Sequence, residues 1–124
     1  KLAERLAEQR SPHLPLLNVC VQVNLGAEPG KAGVRPDEVR DLALRVTRLE
    51  RLRLRGLTCI PPAAQDVGAS RRWFRELRQI RDDLVGAGLR LDVLSMGMSG
   101  DFEIAIEEGA THVRIGTALF GARD

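Results

Sequence analysis

Two stretches hold the residues best suited to chemistry, Leu94-Ser-Met-Gly-Met-Ser-Gly-Asp101 and Val113-Arg-Ile-Gly-Thr-Ala-Leu-Phe-Gly121. In each, a β-like run gives way to glycines and hydroxyl residues where a helical turn would begin. That combination suits an anion. Gly116 has no Cβ, so a phosphate could approach its backbone closely, and the N–H groups of Gly116, Thr117 and Ala118 could point at its oxygens. Helix N-terminal dipoles favour a dianion at such a place. Ser99 adds a hydroxyl from the neighbouring strand end. Arg114, two residues before Gly116 and on the same parity, could donate to a ring nitrogen or to an anion.

Taken singly, each of these residues has a plainer explanation. Ser99 could cap the helix that starts near Asp101, Gly97 and Gly116 could serve tight turns, and Arg114 could be an ion-pair partner. Met96 and Met98 suit a core at least as well as a ligand contact. Asp101 and Glu103 suit a helix N-terminus better than acid catalysis. The joint placement on adjacent strand ends is what points to a site.

Elsewhere the candidates are fewer. Asn24 closes an earlier strand on its polar face, and the loop from Gly26 to Gly33 could line or lid a mouth. Lys31 in that loop invites covalent carbonyl chemistry, but a solvated ammonium is a poor nucleophile. The other lysine is Lys1. His112 begins a strand, which suits a packed or barrel-bottom residue rather than a catalyst. Cys20, Cys59, His13 and His112 show no metal-ligand spacing, so no metal site is expected. No Ser/His/Asp, Cys/His or paired-carboxylate constellation stands out.

The elements that must carry these residues alternate regularly. Residues 1–10 read as the end of a helix, broken by Pro12 and Pro15. Leu17–Asn24 alternates with period two and reads as a strand. Pro36 opens a helix to about Glu50, its missing N–H harmless in the first turn. Leu54–Ile60 is a second strand, and 69–86 a second helix with Phe74, Leu77, Ile80 and Leu84 on one stripe and Ser70 as N-cap. Leu91–Met96, a short helix Asp101–Glu108 and a last strand His112–Ile115 complete the order. Strands alternating with helices imply parallel pairing.

The choice between a barrel and an open sheet rests on the strand faces. Leu17, Val19, Val21 and Val23 make one apolar face, while Asn18, Cys20, Gln22 and Asn24 make a polar one. The last strand repeats this, with Val113 and Ile115 set against His112, Arg114 and Gly116. A doubly wound sheet is apolar on both faces, whereas a barrel strand can turn polar residues inward near its mouth. The expected fold is therefore α/β, a parallel (β/α)8 TIM-barrel type. Such a barrel takes eight strands and typically about 250 residues, so residues 1–124 are expected to form only its C-terminal half, about strands five to eight. The missing N-terminal half-barrel, or failing that self-association, is expected to cover the open edges.

Composition sets the outer bounds. The 124 residues are 44% hydrophobic and 29% charged with a net charge of +2, an ordinary globular balance. No apolar run approaches the roughly 18 residues of a membrane span, and no secretory signal opens the chain. An opening without Met, inside a helical pattern, reads as a piece of a longer protein. Two lone thiols fit a reducing compartment, so a cytoplasmic location is expected. All but two of the 19 basic residues are Arg, yet they interleave with acids, and Tyr is absent. No nucleic-acid partner and no membrane association are expected.

The blocks Leu94–Asp101 and Val113–Arg123 resemble the pyridoxal-phosphate homeostasis proteins, single-domain relatives of the alanine racemase barrel. The resemblance extends to Val21-Gln-Val-Asn24, Lys31-Ala-Gly33 and Gly56-Leu-Thr-Cys-Ile-Pro61, and it covers essentially the whole chain. It implies a (β/α)8 barrel binding pyridoxal 5′-phosphate, with a role in vitamin B6 and amino-acid homeostasis and no firmly assigned reaction. Carried over, Ser99, Gly116 and Thr117 would hold the phosphate, Arg114 would lie near the pyridine nitrogen, and Asn24 and Met98 would border the cofactor. The family's Schiff-base lysine lies at the end of the first barrel strand, which this chain does not contain, so no catalytic residue is assigned here. Two other functions stay open. A racemase-like pyridoxal-phosphate enzyme would need an opposing acid/base, usually Tyr. Another phosphate-binding barrel enzyme would need Lys, Glu or Asp at strand ends that here carry Asn24, Ile60 and Ser99.

Overall fold

Four strands form one parallel sheet in the order β1 (Leu17–Val23), β2 (Leu52–Cys59), β3 (Val93–Met98) and β4 (His112–Arg114). The computed structural model describes residues 1–62 and 66–121. Between the strands run α1 (Leu2–Gln9), α2 (Val39–Thr47), α3 (Val67–Gly86) and α4 (Phe102–Glu107), and a short α5 (Thr117–Phe120) follows β4. A strand order that follows the chain order leaves no switch point, so successive crossovers pack on the same side of the sheet. The segment is the barrel-type α/β sheet that the strand faces predicted. Among the described residues, no helix is long and apolar enough to cross a membrane.

Burial confirms which face the helices cover. Val21, Val23, Leu52, Leu54, Leu57, Cys59, Leu94 and Met96 are buried against Val39, Ala43 and Val46 of α2, Phe74 and Leu77 of α3 and Ala105 of α4. Each large side chain taken fully out of water contributes about 1.5–3 kcal/mol. The opposite face carries Asn18, Cys20, Gln22, Thr58, Ser95, His112 and Arg114, exposed or half-buried.

Leu54 and Leu57 share the covered face although they are an odd number apart. The register explains it: Val19 pairs with Leu54 but Cys20 with Gly56, so Arg55 is an extra residue in β2. Its guanidinium grips Asp92 in a two-pronged bond, 2.9 Å from Nε and 2.7 Å from Nη2, which draws the Asp92 carboxyl below its ordinary range. Gly56 beside the bulge is obligatory, because a Cβ there would sit 1.7 Å from the Val93 carbonyl oxygen.

Several boundaries differ from the sequence expectation. Helix α3 begins at Val67, and its N-cap is Asp66, whose Oδ1 accepts from the Ala69 N–H at 2.8 Å. Ser70 instead lies buried inside the first turn. A carboxylate both accepts the amide and offsets the dipole, so the earlier acid wins the cap. Helix α2 is led by a 3-10 turn at Pro36–Glu38, and β3 starts at Val93 rather than Leu91.

On the far side of β1, the loop after Asn24 returns to the sheet. Val34 makes a parallel bridge with Val23, donating to the Gln22 carbonyl at 2.9 Å and accepting from the Asn24 N–H at 2.7 Å. Helices α3 and α4 are joined by charge. The buried Glu108 carboxylate accepts from Arg71 and Arg75, each at 2.7 Å, and Arg78 donates to the Glu108 carbonyl at 3.1 Å. Those guanidinium groups, Arg75 first, hold the Glu108 carboxyl below the usual carboxylate range.

Candidate functional site

Met98 pairs with Arg114 across β3 and β4, which sets the two strand ends side by side. Beyond them lies an open recess of about 620 Å³. Met98, Ser99 and Gly100 line it from β3, and Arg114, Gly116, Thr117 and Phe120 from β4 and α5. Five of the six residues singled out from sequence, namely Met98, Ser99, Arg114, Gly116 and Thr117, thus meet in one place. Among the described lining residues there is no carboxylate.

The local chain explains the shape of each wall. Gly97 has φ +104° and is packed so tightly that a Cβ would stand 2.6 Å from the Ala105 Cβ, so β3 bends over the start of α4 only with glycine there. After the bend, Met98 to Asp101 forms a tight turn. The Asp101 N–H donates to the Met98 carbonyl at 3.1 Å, and the Met98 N–H donates to Asp101 Oδ1 at 2.8 Å. The sequence suggested that Asp101 complements the α4 N-terminus. It does occupy the N-cap position, but its carboxylate makes no bond to the helix amides and serves the turn instead.

On the other wall, Gly116 is the N-cap of α5. Its carbonyl accepts from Leu119 and Phe120 at 3.0 and 2.8 Å. The first amides of any helix have no partner inside it, so those of Thr117 and Ala118 sit where an acceptor is wanted. A Cβ built on Gly116 would meet nothing within 4 Å, so the space before this backbone is open. Arg114 reaches past β3, its Nη2 donating to the Cys59 carbonyl at the end of β2 at 2.8 Å. The guanidinium is thereby fixed over the strand ends and brings a positive charge to the recess.

Asn24 does not join this group. Its side chain is committed to its own loop, Nδ2 donating to the Glu28 carbonyl at 2.9 Å and Oδ1 accepting from the Glu28 N–H at 3.3 Å. Lys31 is exposed in the same loop. His112 is exposed at the start of β4, its Nδ1 2.9 Å from Thr111 Oγ1 and at the end of the strand away from the recess. Phe120, 86% exposed on the recess wall, and Gly100 were not singled out from sequence, although both lie within the two stretches that were. Arg123, part of the quoted C-terminal block, lies outside the described residues.

Burial pushes the Cys59 thiol up to about 12, and burial also raises that of Cys20. Neither thiol is in a disulfide; Cys59 is buried, and a protonated buried thiol is chemically inert, whereas Cys20 is exposed on the open face. Among the described residues, no cluster of His, Cys, Asp or Glu could hold a metal ion.

Comparison with known proteins extends this geometry. The pyridoxal phosphate homeostasis protein of Pseudomonas aeruginosa is 54% identical over 124 residues, covering 100% of this chain and 53% of that protein. Among solved structures, PipY of Synechococcus elongatus without PLP superposes with a TM-score of 0.83 at 38% identity, covering 97% of this chain and 57% of PipY. PipY with PLP bound gives 0.78 at 36% identity, covering 95% and 54%. The chain spans about half the length of the curated relatives it matches. The family model described as the alanine racemase N-terminal domain matches residues 1–124, and the chain belongs to that family.

Proposed function

We propose that this chain carries the phosphate-holding half of a pyridoxal 5′-phosphate-binding barrel that serves vitamin B6 and amino-acid homeostasis. The observation that carries the proposal is the convergence of Ser99, Thr117, Gly116 and Arg114 on one recess whose described lining includes no acid. These residues fit the group. Two hydroxyls and the first amides of α5 are donors for a dianion, the space before Gly116 is open, and the guanidinium supplies the charge. The naming of the Pseudomonas aeruginosa relative and the PLP-bound PipY structure support the same ligand.

Ser99, Gly116 and Thr117 would hold the phosphate, Arg114 would stand toward the ring nitrogen, and Met98 would border the ring. Asn24 would act at a distance by shaping its loop. Bound pyridoxal phosphate supplies an aldehyde and a pyridine ring able to act as an electron sink. An Arg114 guanidinium facing the ring nitrogen would disfavour its protonation and weaken that sink, which suits a carrier better than a broad catalyst. Residues 1–124 would be the C-terminal half of a single barrel domain in the cytoplasm. The remaining half, or a second copy, would cover the open sheet edges, and the remaining half would bring the lysine.

The test uses full-length protein, with affinity measured calorimetrically for pyridoxal phosphate and for pyridoxal. Hydrogen bonds to charged groups contribute about 1.5–3 kcal/mol each. Ser99→Ala with Thr117→Val is therefore expected to weaken pyridoxal phosphate binding by at least about 100-fold and to leave pyridoxal binding unchanged. Unchanged affinity for the phosphorylated form overturns the assignment.

A further inference from the structure

An acid at a helix N-cap ordinarily accepts from the first amides of its own helix. Asp101 does not: its Oδ1 accepts from the Met98 N–H at 2.8 Å, and its own N–H returns a bond to the Met98 carbonyl at 3.1 Å. Both polar backbone atoms of Met98 are thus tied to one residue. Ser99 and Gly100 occupy the two corners of the turn this closes. The latch is seated firmly, since the Asp101 carbonyl accepts from Ala105 at 3.1 Å in the first turn of α4. That helix is in turn tied to α3 through Glu108.

We propose that Asp101 is a positioning residue for the anion-holding turn, fixing Ser99 through the Met98 amide. The proposal rests on the function proposed above and adds to it how the β3 wall keeps its shape. It also accounts for a carboxylate so close to a site meant for a dianion. A carboxylate facing the phosphate would repel it, but this one is spent on a backbone donor. What the turn needs from residue 101 is a hydrogen-bond acceptor of aspartate's length, and the negative charge is incidental.

Asp101→Ala and Asp101→Asn in the full-length protein separate these contributions. Three readouts apply: affinity for pyridoxal phosphate, affinity for pyridoxal, and amide hydrogen exchange across residues 98–101. Asp101→Ala is expected to speed exchange at Met98 and to weaken pyridoxal phosphate binding roughly tenfold, the fold-change that follows from losing one such hydrogen bond, with pyridoxal binding unchanged. Asp101→Asn keeps an acceptor and drops the charge, so it is expected to bind pyridoxal phosphate at least as tightly as wild type. A merely structural role would weaken both ligands together. Wild-type binding with an unaffected alanine variant, or an asparagine variant as weak as alanine, overturns the latch alone. A wild-type protein that binds no pyridoxal phosphate overturns the functional proposal and this one with it. If Asp101→Ala does not fold, Asp101→Leu, of similar length but without an acceptor, takes its place in the same comparison.

Discussion

Replacing Gly97 by alanine tests the bend that sets one wall of the site. The backbone there has φ +104°, and the added Cβ would lie 2.6 Å from the Ala105 Cβ and 3.3 Å from both the Phe102 Cα and the Val113 Cγ1. An L-residue held in left-handed space costs roughly 1–2 kcal/mol, and forcing a methyl into a packed core costs typically about 1–3 kcal/mol. Together these give an expected loss of about 2–5 kcal/mol, read from the urea midpoint at constant m-value. Ala105→Gly removes the methyl that is struck while leaving the dihedral cost. The double variant should therefore recover the overlap part, with a coupling energy of roughly 1–3 kcal/mol in the mutant cycle. A loss below about 0.5 kcal/mol for Gly97→Ala, or strictly additive single variants, would refute the packing account.

Two further outcomes follow from buried groups. Because the folded Glu108 carboxyl titrates below its ordinary value of 4.5, its contribution is present above that pH and is lost as pH falls through the lower folded value. Glu108→Gln is expected to cost about 1–2 kcal/mol near neutral pH, discounted for half-exposed arginines, with the gap from wild type closing as pH falls below 4.5; a gap independent of pH argues against the ion-pair origin. With its thiol raised from 9.0 to about 12, Cys59 should have about a thousandfold less thiolate than an ordinary cysteine. Mass spectrometry after iodoacetamide treatment should find it unmodified until the protein unfolds, and rapid native labelling contradicts its burial.

Much of the fold was legible because periodicity reports burial. The alternation in residues 17–23 placed the valines on the covered face, and the glycine and hydroxyl residues after two strands marked the recess. What could not be read depends on partners far along the chain. The Arg55 bulge reverses parity within β2, and only the Asp92 contact, 37 residues away, makes sense of it. Glu108 looks like any acid near a helix end until α3 brings Arg71 and Arg75 against it. Asn24 and Asp101 were placed correctly along the chain, but their roles turn on which of several nearby amides each side chain meets. Short polar side chains have several local options, and sequence does not rank them.

The Val34 bridge has a consequence for anything that joins the sheet at β1. Gln22 and Asn24 already spend their outward-facing carbonyl and amide on Val34, so an incoming strand can zip only along the lower stretch near Asn18 and Cys20. Above that level the edge is already capped by the chain's own glycine-rich loop through the Val34 bridge.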